Sequence, residues 1–271
     1  MFWILLIFAL LQGILEWLPV SSEGQTMSLL ITWIQIPPDA ALQIALWLHL
    51  GTLFAVSVKY RKELVDYVNW HKSEPELNAW RRFLLISTIG TAVTGIPIYV
   101  ILKKISLDPS YGEYVMLIIG IALLITALLL YLSKKFRRKL LPIIQRNNWF
   151  YFIIGLCQGF SIIPGISRSG ITMSALLLLG VTTEDSVKGS FLMSIPAVLG
   201  GVLLDIFTNL FNHENLFPYP WWQVLIAIAI TFIVGYLTIE SFLKVAQKYD
   251  FAIICLLLGI ITVIFFLIRF A

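Results

Sequence analysis

The sequence predicts an all-α polytopic membrane protein: one domain over residues 1–271, built as an inverted-topology repeat with six full transmembrane helices and two re-entrant helical hairpins. Three observations carry this. Mean hydropathy is +0.90; 59% of residues are hydrophobic and 13% charged, where a soluble surface needs roughly twice that charge. Six apolar runs reach the roughly 20 residues that a helix needs to cross a bilayer. The segment QGILEWLPVSSEGQTMS, from Gln12 to Ser28, returns as QGFSIIPGISRSGITMS, from Gln158 to Ser174, at a constant offset of 146 residues, and divides the chain into repeats 1–146 and 147–271.

The first apolar run is expected to stay in the mature chain rather than act as a cleavable signal peptide, because no basic residue precedes it and no small-residue cleavage pattern follows. It belongs to region 2–36, where two runs too short to span flank Pro19 and the serine-rich motif. Spans are expected at 41–58, 83–102 and 114–132. Region 149–180 repeats the broken pattern around Pro164 and Gly165, and spans at 190–207, 222–243 and 250–268 complete the second half. Backbone left unpaired in hydrocarbon costs several kcal/mol per group, so broken helices persist at depth only inside protein or beside a water-filled cavity. Both regions are therefore read as re-entrant. Treating each as two full spans would give ten crossings with the same loop orientation, but Thr172 to Gly180 is far too short to cross.

Charge sets the orientation. Lys59, Arg61, Lys62, Lys72, Arg81 and Arg82 fill one connection, and Lys134, Lys135, Arg137, Arg138, Lys139 and Arg146 another; the positive-inside rule puts both in the cytoplasm. The connections 103–113 and 208–221, the latter carrying Glu214, then face outward. Three spans per repeat make the copies antiparallel, so the broken helices can meet near the midplane and build one site from two loops. The net charge of +4 reads as this topology signal, and no nucleic-acid partner is expected. Cys157 and Cys255 lie in apolar runs, where a thiol acts as a small hydrophobe and no disulfide is expected. The tryptophans, Trp17, Trp221 and Trp222 among them, suit headgroup-level belts.

Arg168 is the most informative residue, since an arginine in an apolar region costs at least about 2.5–3.5 kcal/mol and faces a cavity or a partner. Around it, Ser167, Ser169 and Thr172 supply hydroxyls. Glycines, Gly170 among them, let backbone N–H groups approach a ligand, and a helix restarting near Gly170 aims its positive end at the same point. These are parts of a phosphate cradle, or else Arg168 pairs with a buried carboxylate and locks the halves together. In the first copy Gln12 and Glu16 share a helix face, and Ser21, Ser22, Glu23 and Gln25 follow the break. Glu16 could ligate Mg²⁺ or Ca²⁺, activate a nucleophile, or pair with Arg168. Ser21 or Ser22 could attack phosphorus, or a water could do so while the serines cap the restarting helix, and Glu23 suits its first turn. His49, alone in an apolar span, reads as a hydrogen-bonded packing residue, with a place lining the site as the alternative; His71 and His213 have no second ligand at metal spacing. Asp205 reads as a solvated interface residue.

These motifs resemble the bacitracin-resistance family of undecaprenyl-diphosphate phosphatases. QGILEWLPVSSEGQ matches its first motif, a Glu or Gln, then Glu four positions on, then LPVSS-x-G-His, through Gln12, Glu16, Ser21, Ser22 and Gly24. PGISRSGIT matches its second through Pro164, Gly165, Ser167, Arg168, Ser169 and Thr172. The stretches Leu50 to Leu64 and Ser190 to Asp205 are also similar. The resemblance implies removal of the terminal phosphate from a polyprenyl diphosphate lipid in the cell membrane, recycling the carrier for envelope glycan synthesis, at a site open to the outer face and with divalent-metal support. It implies that Ser167, Arg168, Ser169, Gly170 and Thr172 hold phosphate, that Glu16 and Gln12 serve metal or water, and that a serine is the nucleophile; a homodimer is compatible with it. The motif's histidine is Gln25 here, which cannot act as a general base, and Glu23 could take over its proton handling. A transporter or flippase for an anionic lipid is the competing class, since inverted repeats with broken helices serve both.

Overall fold

A computed structural model describes residues 2–69, 71–72, 74–106, 114–135, 140–212, 219–248 and 251–270. Arg137, Arg138, Lys139, His213 and Glu214 lie outside these. Among the described residues the regular structure is eleven α-helices, two short 3-10 turns and one isolated bridge between Leu141 and Val181.

The first half comprises α1 (Phe2–Leu15), α2 (Ser22–Thr32), α3 (Pro38–Lys59), α4 (Arg61–Val68), α5 (Pro75–Ser106) and α6 (Val115–Lys135). The second comprises α7 (Asn148–Gly159), α8 (Arg168–Leu178), α9 (Thr183–Phe211), α10 (Trp221–Lys248) and α11 (Phe251–Phe270). Helices α3, α5, α6, α9, α10 and α11 are each long and apolar enough to cross a membrane, which makes this a multi-pass membrane protein. They coincide with the six expected spans and extend several of them. By contrast α1, α2, α7 and α8 hold 14, 11, 12 and 11 residues. At 1.5 Å per residue they fall short of a hydrocarbon core about 30 Å thick.

Large apolar side chains such as Ile89, Val93, Leu225, Leu237 and Ile268 point outward, as bilayer-facing residues do. Inside, α1 packs on α10 and α7 on α5, α2 on α3 and α8 on α9, while α3 meets α9 and α6 meets α11. Some of these contacts bring backbones together: a Cβ on Gly51 would stand 2.6 Å from Ile228 O, sealing α3 against α10. The α5–α9 boundary is different, because a cavity of about 350 Å³ opens there, with walls also from α3 and α7.

Three expectations change. Arg81, counted among the charges of a connection, lies instead within α5. It is 6% exposed and donates to the carbonyls of Asp66, Tyr67, Asn69 and Lys72 and to Asn78 Oδ1 at 2.5–2.9 Å, clamping the connection between α4 and α5. Trp17 is fully buried rather than at the headgroup level, its indole N–H donating to Thr238 Oγ1 at 3.1 Å and its ring edge-on to Phe191. Asp205 is buried too, accepting from Tyr99 at 3.0 Å and Asn209 at 3.1 Å. In each case a neighbouring helix supplies the partner that makes burial affordable for a polar group.

Candidate active site

Each loop copy turns the chain sharply enough to restart a helix. In the first, α1 ends at Leu15, Pro19 follows, and Ser21 adopts a left-handed φ of 58° as the N-cap of α2, its Oγ accepting from Gly24 N at 3.2 Å. In the second, Gly165 has φ +101°, and any Cβ there would stand 2.5 Å from Ile119 O, so glycine is required twice over. Ser167 then caps α8, accepting from Gly170 N at 3.1 Å. The copies touch: a Cβ on Gly24 would lie 2.8 Å from Gly165 Cα, and Ser169 Oγ donates to Leu18 O at 3.4 Å. Cys255, one of two unbridged cysteines, pins the first break by donating to Pro19 O at 3.0 Å.

Glu16 lies at the centre of this contact and is 6% exposed. Its Oε1 is paired with the Arg168 guanidinium from the other loop. Its Oε2 accepts from Gln12 Nε2 and from Ser22 Oγ, each at 2.7 Å, and faces His49 Nε2 at 3.3 Å. Arg168 also donates to Ser194 O at 3.3 Å. A cleft beside the pair is walled by Ser21, Ser22 and Glu23 at the start of α2 and by Ser167, Arg168 and Ser169 at the start of α8. The first N–H groups of a helix have no intrahelical acceptor, and its N-terminal end is electropositive. Two such ends, one guanidinium and the serine hydroxyls of one cleft are groups able to hold an oxyanion such as phosphate.

The cleft continues into the larger cavity, which Glu23, His49 and Arg168 also border. Polar groups gather where Gln158 Nε2 donates to Thr91 Oγ1 and Met193 O and where Arg168 reaches Ser194. Beyond that level the walls are apolar: Ala92, Gly95 and Ile96 of α5 face Ala197, Leu204 and Phe207 of α9. Two glycines of α9 leave this wall unfilled, since a Cβ on Gly200 would have no neighbour within 4 Å and one on Gly201 only Leu46 Cδ2 at 4.0 Å.

Of the sequence-predicted residues, the structure brings together Gln12, Glu16, Ser21, Ser22, Glu23, Ser167, Arg168 and Ser169. It does not bring Gly170, Thr172 or Gln25 into the cleft wall. Gly170 packs against Thr126; Thr172 turns its hydroxyl back to Arg168 O at 2.7 Å and lies against Ser190. Gln25 follows Ser22 by one helical turn. His49 is the main correction: it is no mere packing residue, because α3 passes beside the first loop and carries the ring to Glu16. Its signal was present, as a lone ionisable group in an apolar span is costly unless a partner waits for it.

Among the described residues no three His, Cys, Asp or Glu side chains converge as a metal cage. Mg²⁺ is commonly held by one or two carboxylates together with substrate phosphate oxygens, and the acceptors for that mode exist. Gln12 Oε1 and Glu23 Oε1 are both buried and accept no hydrogen bond among the described residues, whereas both Glu16 oxygens are already engaged.

The profile of the bacitracin resistance protein BacA family matches residues 5–261 of the chain. The chain is 39% identical over 262 residues to an undecaprenyl-diphosphatase of Methanopyrus kandleri, covering 95% of this chain and 93% of that one. It is 36% identical over 257 residues to one of Methanothrix thermoacetophila, covering 95% and 94%, and 36% identical over 267 residues to one of Methanococcoides burtonii, covering 96% of each.

Proposed function

The chain belongs to the bacitracin resistance protein BacA family, and from that membership together with the paired loops we infer an integral membrane phosphatase that hydrolyses undecaprenyl-type diphosphate to the monophosphate and inorganic phosphate. The observation that carries the chemistry is the Glu16–Arg168 pair, which joins a proton acceptor from one loop to an anion holder from the other. In this reading the lipid's diphosphate displaces Glu16 from Arg168 and takes up the N-termini of α2 and α8. Its prenyl chain lies in the apolar cavity between α5 and α9.

Ser22 is the nucleophile, because its hydroxyl already donates to Glu16 at 2.7 Å, the hydrogen bond that an activated nucleophile needs. Ser22 Oγ attacks the terminal phosphorus and its proton passes to Glu16. The bond from that phosphorus to the bridging oxygen breaks, and the electron pair leaves with the polyprenyl monophosphate. The departing monophosphate takes that proton from Glu16; water, deprotonated by the freed carboxylate, then attacks the phosphoserine phosphorus, the bond from phosphorus to Ser22 Oγ breaks, and inorganic phosphate leaves as Glu16 returns the proton to the hydroxyl. Arg168, Ser167 and Ser169 stabilise the phosphoryl oxygens. A divalent cation held by Glu23, Gln12 and the substrate's own oxygens would add charge neutralisation.

The same reading takes the broken helices as re-entrant hairpins and the halves as an inverted repeat. Its support is that exchanging α1, α2, α3, α5 and α6 for their sequence counterparts α7 to α11 maps the α1–α10 contact onto α7–α5 and the α2–α3 contact onto α8–α9. With the basic loops cytoplasmic, the cavity opens toward the outer leaflet of the cell membrane. The test is phosphate release by purified protein in detergent, given a long-chain prenyl diphosphate with Mg²⁺ or Ca²⁺. Release is expected; binding without release under any metal would instead favour a lipid transporter.

A further inference from the structure

Glu16 is held by two basic side chains, and only one of them belongs to the duplicated loops. Arg168 engages Oε1, while His49, from α3, stands 3.3 Å from Oε2 with its ring 12% exposed. The other ring nitrogen, Nδ1, lies 2.7 Å from Ala45 O in the preceding turn of α3. Both nitrogens therefore face acceptors, and a ring that satisfies the carbonyl presents its remaining edge to the carboxylate in one fixed orientation. His49 borders both the polar cleft and the apolar cavity, and Glu23 is the other carboxylate in that wall.

The arrangement answers a difficulty in the phosphatase reading, on which this inference rests. A carboxylate this deeply buried is costly once its counter-charge leaves, and Arg168 must turn from Glu16 toward the incoming diphosphate. We propose that His49 is the positioning residue that keeps Glu16 paired and aimed at Ser22 while Arg168 transfers to the phosphate. Gln25, at the position of the motif's histidine, lies outside the cleft wall, and the imidazole that faces Glu16 in this chain comes from α3.

The test separates this role from simple packing and does not depend on turnover. Purified H49A, H49Q, E16Q and E16Q/H49A proteins are titrated with farnesyl diphosphate in detergent, with gel filtration and thermal melting as folding controls. Removing a hydrogen bond to a charged group should weaken binding by about tenfold or more in H49A, and H49Q, which keeps a donor toward Glu16, should lose less. E16Q should bind as well as wild type, and E16Q/H49A should bind like E16Q, because a neutral amide needs no counter-charge. Wild-type affinity in H49A would overturn the proposal, as would a loss that persists undiminished in E16Q/H49A. Should H49A not fold, H49Q and E16Q/H49Q decide it by the same comparison. Failure of the phosphatase reading would appear separately, as wild-type protein that binds the diphosphate and releases no phosphate.

Discussion

The two halves of the chain start from one loop plan and diverge in two places. At the loops, the first copy has Glu16 where the second has Ile162, and the second has Arg168 where the first has Ser22, so that opposite charges come to face each other across the contact at Gly24 and Gly165. At the spans, α3 closes on α10 through Gly51, while its counterpart α9 stands off α5 around Gly200 and Gly201. Divergence at the loops provides a charge pair, which the proposed reading assigns to phosphate; divergence at the spans provides an apolar space beside it. Symmetric copies would give neither, because like residues would face each other and both helix boundaries would be equally sealed.

The largest expected effect breaks the loop comparison. Arg168→Ala, Glu16→Ala and Ser22→Ala should each lower phosphate release by about 10²–10⁴-fold, and Ile162→Ala, at the position equivalent to Glu16, should stay within a few-fold of wild type by the same assay. Near-wild-type release in any of the first three would remove that residue from the chemistry.

The span comparison predicts a split between stability and substrate use. Gly51→Ala forces a Cβ against Ile228 O and should cost about 1–3 kcal/mol, read as a lower melting temperature. Gly200→Ala meets open space and should leave the melting temperature unchanged. Gly200→Leu should fold equally well yet raise KM for an undecaprenyl substrate several times more than for farnesyl diphosphate, because the longer chain needs the filled volume. Equal effects on both substrates would place the prenyl chain elsewhere.

The smallest effect concerns Gln25. Gln25→His in the wild-type background should leave the rate within about threefold, since Gln25 lies outside the cleft wall and His49 already serves Glu16. A large gain would return the imidazole's role to the motif position.

Much of this comparison was legible in the sequence. Hydropathy acts along the chain, so the six spans and the four short helices could be read from run length. The duplicated motif likewise announced that Glu16 and Arg168 belonged to matching loops, and glycine and proline marked where each helix broke. What escaped depends on which helices lie side by side. His49, Trp17 and Asp205 all looked like isolated polar or amphipathic residues, and each found its partner on another element: Glu16, Thr238 and Tyr99 respectively. Thr172 shows the reverse, a motif hydroxyl whose own helix claimed it. Nor does a glycine declare whether it admits a neighbouring backbone, as Gly51 does, or leaves a gap, as Gly200 does.

The division of labour between the loops is tested most directly by measuring prenyl-diphosphate binding and phosphate release together in Glu16→Gln and Arg168→Gln. Glu16→Gln should bind the lipid diphosphate at least as well as wild type and release no phosphate, whereas Arg168→Gln should lose binding itself. Equal loss of binding in both variants, or release retained in Glu16→Gln, would contradict a site in which one loop holds the phosphate and the other cleaves it.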